Sequence, residues 1–155
     1  PQNPAFALYL AWLYADLGQY DVVEAWLDEA LRLAPRDPAM REVVARFCLQ
    51  RGLDRKGLHV AWMLVGLEPE SGVAHDLLGE ALLRNGEPEK AKAHLLQAIE
   101  RDPRLAPAYF HLGAVYLALG DVERARPLLL RALDLNTDPT LRQAIEPLLA
   151  SATHR

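Results

Sequence analysis

Glycine returns every 34 residues along this chain, at Gly18, Gly52, Gly86 and Gly120, and proline keeps the same interval in a second register at Pro1, Pro35, Pro69 and Pro103. A period of this length marks an array of helix–turn–helix repeats. No single repeat can bury its apolar face alone, so neighbours must share one continuous core. Such an array offers surface more readily than chemistry.

The first repeat, residues 4–37, carries apolar residues at Phe6, Leu10, Leu13, Tyr14 and Leu17, a spacing that lies along one side of a helix. Gly18 stops that helix, because glycine accepts the left-handed conformation of a helix end. A second stripe follows at Val22, Val23, Trp26, Leu27, Ala30 and Leu31, and Pro35 ends it. Asn3, Asp37 and Ser71, again 34 apart, are placed to cap the following helices, with Pro4 and Pro38 at first helical positions. Leu105 holds that place before the fourth repeat, which therefore lacks a side-chain cap.

Residue sizes repeat as well. Ala11, Ala45, Gly79 and Gly113 form a small-residue series in the first helices, and Ala30, Leu64, Ala98 and Ala132 its counterpart in the second helices. Leu10, Val44, Leu78 and Leu112, with Leu27, Ala61, Leu95 and Leu129, fill the space between. The second repeat exchanges the sizes, Ala61 and Leu64 standing where the others have Leu then Ala, a swap that roughly keeps volume.

These residues resemble the tetratricopeptide repeat (TPR) family. Leu10, Ala11, Tyr14, Gly18, Tyr20, Leu27, Ala30 and Pro35 fit its signature in the first repeat. Leu78, Gly79, Leu82, Gly86, Ala91, Leu95, Ala98 and Pro103 fit it in the third, and Leu112, Gly113, Tyr116, Gly120, Ala125, Leu129 and Ala132 in the fourth. The second fits least, with Cys48 for the aromatic and Gly57 for the alanine. The expected fold is all-α: a right-handed α-solenoid of stacked helix-turn-helix repeats at 4–37, 38–71, 72–105 and 106–139, with a capping helix at 139–151, in a single domain spanning 1–155. Leu141, Ala144, Ile145, Leu148 and Leu149 supply the cap's apolar stripe. Pro127 and Pro147 are expected to bend their helices without breaking them.

The first helix is apolar almost all round, through Phe6, Leu8, Tyr9, Leu10, Trp12 and Leu13. A helix of that kind needs cover on several sides. Further repeats at the N-terminal end, or a homo-oligomer formed there, would supply it.

A net charge of −4 gives no footprint for nucleic acid, whose binding depends on clustered cations. RNA reading in the manner of pentatricopeptide proteins would need small polar residues at fixed repeat places and the opposite charge. No uninterrupted apolar run is long enough for membrane insertion. Cys48 excludes an internal disulfide and reads as a buried hydrophobe. The five histidines, His59, His75, His94, His111 and His154, lack zinc-site spacing, and the glycines are isolated helix stops instead of a phosphate loop. No metal, cofactor or catalytic residue is expected, and the chain reads as a non-enzyme. Its arginine-, alanine- and leucine-rich composition suggests a bacterial source, and the compartment stays open.

The resemblance also implies where a partner would bind, since first helices of TPR proteins line a concave groove. By phase the groove would take Leu8, Tyr9, Trp12 and Asp16 from the first repeat, and Glu42, Val43, Arg46 and Gln50 from the second. Asp76, Leu77, Glu80 and Arg84 would follow from the third, and Phe110, His111 and Ala114 from the fourth. Mixed charge with apolar islands suits an amphipathic helix or extended peptide of a partner protein. Trp26 and Trp62, on second helices, read as packing residues. The carboxylate clamp of chaperone adaptors is not matched: its places hold Leu8, Trp12, Val43, Val73 and Leu77, or, one repeat later, Glu42, Arg46, Leu77, Pro107 and His111. The expected function is a protein–protein interaction scaffold. The alternative is a structural segment of a longer array that self-associates or assembles a larger complex.

Overall fold

The structure is a computed structural model that describes residues 3–151; Pro1 and His154 lie outside the described residues. Within them the chain is helical throughout, in two compact units that divide between Leu67 and Glu68. The N-terminal unit holds α1 (Pro4–Asp16), α2 (Tyr20–Leu33), α3 (Pro38–Gln50) and α4 (Asp54–Leu67). The C-terminal unit holds α5 (Gly72–Arg84), α6 (Pro88–Arg101), α7 (Ala106–Ala118), α8 (Val122–Leu135) and α9 (Pro139–Ser151). Helices pack in antiparallel pairs, α1 with α2, α3 with α4, α5 with α6 and α7 with α8, and α9 lies on α8 and α7.

Each pair turns at the periodic glycine. Gly18, Gly52, Gly86 and Gly120 all adopt φ between 72° and 79°. The amide after each glycine donates back to a carbonyl of the last helical turn, from Gln19 to Tyr14 at 3.0 Å and from Asp121 to Tyr116 at 2.8 Å. This closes the helix end in the manner of a Schellman motif. The helix starts are capped where the sequence proposed: Asn3 accepts from the Ala5 amide at 2.9 Å, Asp37 from Ala39 at 2.9 Å and Ser71 from Ala74 at 3.2 Å. Leu105 makes no side-chain cap. Helices α8 and α9 continue through Pro127 and Pro147.

Close approach within the pairs explains the small-residue series. A methyl group on Gly79 would stand 2.4 Å from Leu95 Cγ, and one on Gly113 2.8 Å from Leu129 Cδ2. In the α3/α4 pair the bulk has moved: Gly57 makes room for Leu49, whose Cδ2 would be 3.0 Å from an added Cβ. The residue that departs from the family pattern is therefore compensated one helix away. Ile145 of α9 joins Leu129 and Ala132 in the terminal core, with Leu141, Leu148 and Leu149 packed around it.

A second periodic fastening uses three different side chains. Arg41, His75 and Tyr109 are 34 apart, and each donates to the carbonyl of the proline that ends the preceding repeat. Arg41 Nη2 reaches Pro35, His75 Nε2 reaches Pro69 at 2.9 Å, and Tyr109 Oη reaches Pro103 at 3.0 Å. Each bond ties a first helix to the turn that leads into it and gives the proline carbonyl of that turn a partner.

Candidate functional site

In the N-terminal unit the first-helix residues form an open apolar trough. Ala5, Leu8, Tyr9, Trp12, Leu13 and Asp16 of α1, with Val43 of α3, enclose about 450 Å³. Tyr9 is 63% exposed and Trp12 50%. The inner side of Trp12 is nevertheless held: its ring lies 6.0 Å from that of Phe47, and the Arg51 guanidinium sits 6.0 Å over it and 5.7 Å over Phe47. Arg51 is anchored to Asp16 at 2.7 Å, and Arg46 pairs with Glu42 at 3.0 Å. The charges around the trough are thus matched internally, leaving an oriented aromatic surface, and Gln50 is exposed at the end of α3.

The C-terminal unit gathers the other predicted residues into a polar relay. His111 Nδ1 of α7 donates to Asp76 Oδ1 of α5 at 2.7 Å, its Nε2 lies 3.6 Å from Glu80 Oε2, and Arg84 closes on Glu80 at 2.9 Å. Burial alone would lower the pKa of His111. The charge and hydrogen bond of Asp76, then Glu80, outweigh burial and the opposing Arg84, so the imidazole is held above its ordinary range. Helix α5 is buried around most of its circumference, from Gly72 to Leu82, so two of its groove positions are corrected: Asp76 and Leu77 are buried and present no surface. Phe110 is half-buried against the Leu129–Ala132–Ile145 cluster, which makes it a core contact as well as a surface group.

Trp62, at 47% exposure, shares one register position of the second helices with Leu96 and Leu130, each 49% exposed. Those three are 34 apart, a signal present in the sequence and passed over there. Cys48 is buried, and burial, with Glu24 and Asp28 adding and Lys56 opposing, pushes its thiol up to about 12. Among the described residues no group of three or more metal-ligating side chains occurs, and no helix is long and apolar enough to cross a membrane.

Paired helices at a constant 34-residue step, turned by left-handed glycines and carrying an aromatic trough, define a helical-hairpin repeat protein of the kind that binds through its surface. The chain belongs to the tetratricopeptide repeat family: the family model matches residues 1–54 and 77–138. No curated protein matches it. Among solved structures it is similar to TTC0263, a thermophilic TPR protein in Thermus thermophilus, at 30% identity over 96% of this chain and 82% of that one, TM-score 0.75. YrrB, a TPR protein with an unusual peptide-binding site, matches at 20% identity over 88% and 71%, TM-score 0.67. The Yersinia enterocolitica type III secretion chaperone SycD, in complex with a peptide of the translocator YopD, matches at 18% over 74% and 91%, TM-score 0.63. The latter two likenesses concern the fold. The all-α class is that of TPR proteins, a family that generally mediates protein–protein interactions and is typically non-enzymatic.

Proposed function

We propose that this chain is a protein-interaction scaffold whose four repeats and terminal helix act as one domain, and that it holds a peptide or helix of a partner protein on its first-helix faces. The observation that carries this reading is the trough around Tyr9, Trp12 and Val43. Trp12 is fixed from within by Phe47 and Arg51 while half of it stays open to solvent, so a partner meets an anchor whose rotamer is already ordered. Glu42, Arg46 and Gln50 flank it as polar register groups, and Glu80, Arg84, Phe110 and His111 offer a second, more polar face. Peptide binding by YrrB and SycD supports the reading at the level of the family.

Panning a displayed peptide library on the 155-residue chain and measuring the selected peptides by calorimetry tests it. Trp12→Ala should weaken binding roughly thirtyfold, the scale of an interface hot spot, with far-UV circular dichroism unchanged. Arg46→Glu should weaken it less. Full affinity in both variants moves the binding surface elsewhere.

One observation favours the structural alternative. Phe6 and Leu13 are exposed on α1 and Leu17 just after it, whereas the residues 34 positions on from the first two, Met40 and Phe47, are half-buried and buried on α3, on which α2 packs. A helix from a second copy or from another repeat fits that face. Light scattering at rising concentration separates the readings: a dimer abolished by Leu13→Glu supports self-association, and a monomer throughout supports the peptide-binding scaffold.

A further inference from the structure

Two imidazoles meet near the start of the C-terminal unit. His75 of α5 and His94 of α6 have Nδ1 atoms 3.0 Å apart, ring centroids 5.3 Å apart and planes 20° from parallel. These values agree when each Nδ1 lies on the line joining the ring centres, pointing straight at the other. A zinc ion held in line would need a gap of about 4 Å, twice the metal–nitrogen distance. In line at 3.0 Å the contact is an N–H···N hydrogen bond, and it holds one proton.

The hydrogen's owner follows from the neighbouring carbonyl. His75 Nε2 is 2.9 Å from the Pro69 oxygen, which can only accept, so the hydrogen of neutral His75 is on Nε2 and its lone pair on Nδ1. His94 must then donate from Nδ1. We propose that His75 and His94 form an acid-sensitive clasp on the 68–71 turn, closed while one proton lies between their Nδ1 atoms and forced open when both rings are protonated.

The first added proton goes to His94 Nε2 and leaves the bond intact. The second would have to occupy His75 Nδ1, aiming one N–H at another across the same gap, and the rings must part. Charged groups lie close to them. Arg101 of α6 donates from Nε to the same Pro69 carbonyl at 3.1 Å and reaches Glu70 of the turn at 3.4 Å; Asp76 follows His75 on α5 and is engaged by His111 of α7. Burial, then the repulsion that arises when both rings carry charge, lowers the pKa of His94 below the usual histidine value. A group whose folded pKa is depressed in this way contributes stability above the unfolded value near 6.5, and that contribution is lost as pH falls. Opening frees the start of α5, where Ser71 Oγ caps the Ala74 amide.

The chain supplies its own control. The fourth repeat places Tyr109 and Leu128 where the third has His75 and His94, and Tyr109 makes the same bond to its proline carbonyl through a phenol hydroxyl instead of an imidazole. The double variant His75→Tyr/His94→Leu should therefore keep the fastening and lose the acid response. Between pH 7.5 and 5.0 the melting temperature of the full chain should fall roughly 3 °C further in the wild type than in the variant. Parallel profiles overturn the clasp. Nitrogen-15 spectra of the wild type at pH 8, which need no variant to fold, should show His75 as the Nε2–H and His94 as the Nδ1–H tautomer. Any other assignment overturns it, as does equimolar zinc chloride that raises the melting temperature of the wild type alone, since a metal would take both lone pairs.

Discussion

At the scale of single residues, the sharpest consequences lie where two side chains claim the same space. Leu129 is fully buried and seated against the bare backbone of Gly113. Leu129→Ala should destabilise the chain by about 2–5 kcal/mol, measured by urea unfolding, because the transfer loss is joined by a cavity that α7 and α9 can only partly close. Gly79→Ala should cost about 1–3 kcal/mol through the opposite fault, its methyl group arriving 2.4 Å from Leu95 Cγ. Both positions were legible in the sequence, since size recurs at the repeat interval whatever the partner. The Arg41, His75 and Tyr109 series was not. Its interval is the same, but its three members share only the ability to donate a hydrogen bond, and the common acceptor is a backbone carbonyl that no letter of the sequence records.

At the scale of helices, the α5/α7 contact carries the chain's clearest dependence on pH. His111 has a folded pKa raised above the ordinary 6.5 by Asp76 and Glu80, against its burial. The stabilisation it brings is therefore complete below 6.5 and is lost as pH climbs through the raised folded value. Thermal melts of the wild type should fall relative to His111→Gln as pH is taken upward from 6.5, and a constant difference between the two would remove the ion pair from the stability of this unit. The sequence placed His111, Asp76 and Glu80 along the same groove, because first helices of adjacent repeats were already in phase. What it missed was depth: the phase of a helix says which side faces the groove, while the burial of Asp76 and Leu77 depends on how much of α5 its neighbours enclose. The half-exposed series Trp62, Leu96 and Leu130 went unread for a related cause, since apolar letters on a second helix look like core until the neighbouring helices are in place.

At the scale of the whole molecule, the repeat architecture makes stability a sum of local terms, so a lesion in one unit need not be felt equally in the other. The chain carries a built-in way to see this, because Trp12, Trp26 and Trp62 all belong to the N-terminal unit and the C-terminal unit has no tryptophan. Tryptophan fluorescence therefore reports unfolding of residues up to Leu67, while circular dichroism at 222 nm averages over all the helices. Leu129→Ala, whose cavity opens among α7, α8 and α9, should shift the dichroism midpoint in urea to lower denaturant and broaden the transition, and should move the fluorescence midpoint less. Trp26 is the best of the three reporters, since Trp12 doubles as the proposed peptide anchor and Trp62 is half exposed. A selected peptide bound at the trough should then do the converse, raising the fluorescence midpoint by mass action while leaving the Leu129→Ala defect in dichroism largely in place. Fluorescence and dichroism midpoints that shift together in both experiments would mean that the two units unfold as one cooperative body, and the assignment of stability to separate local terms would fail.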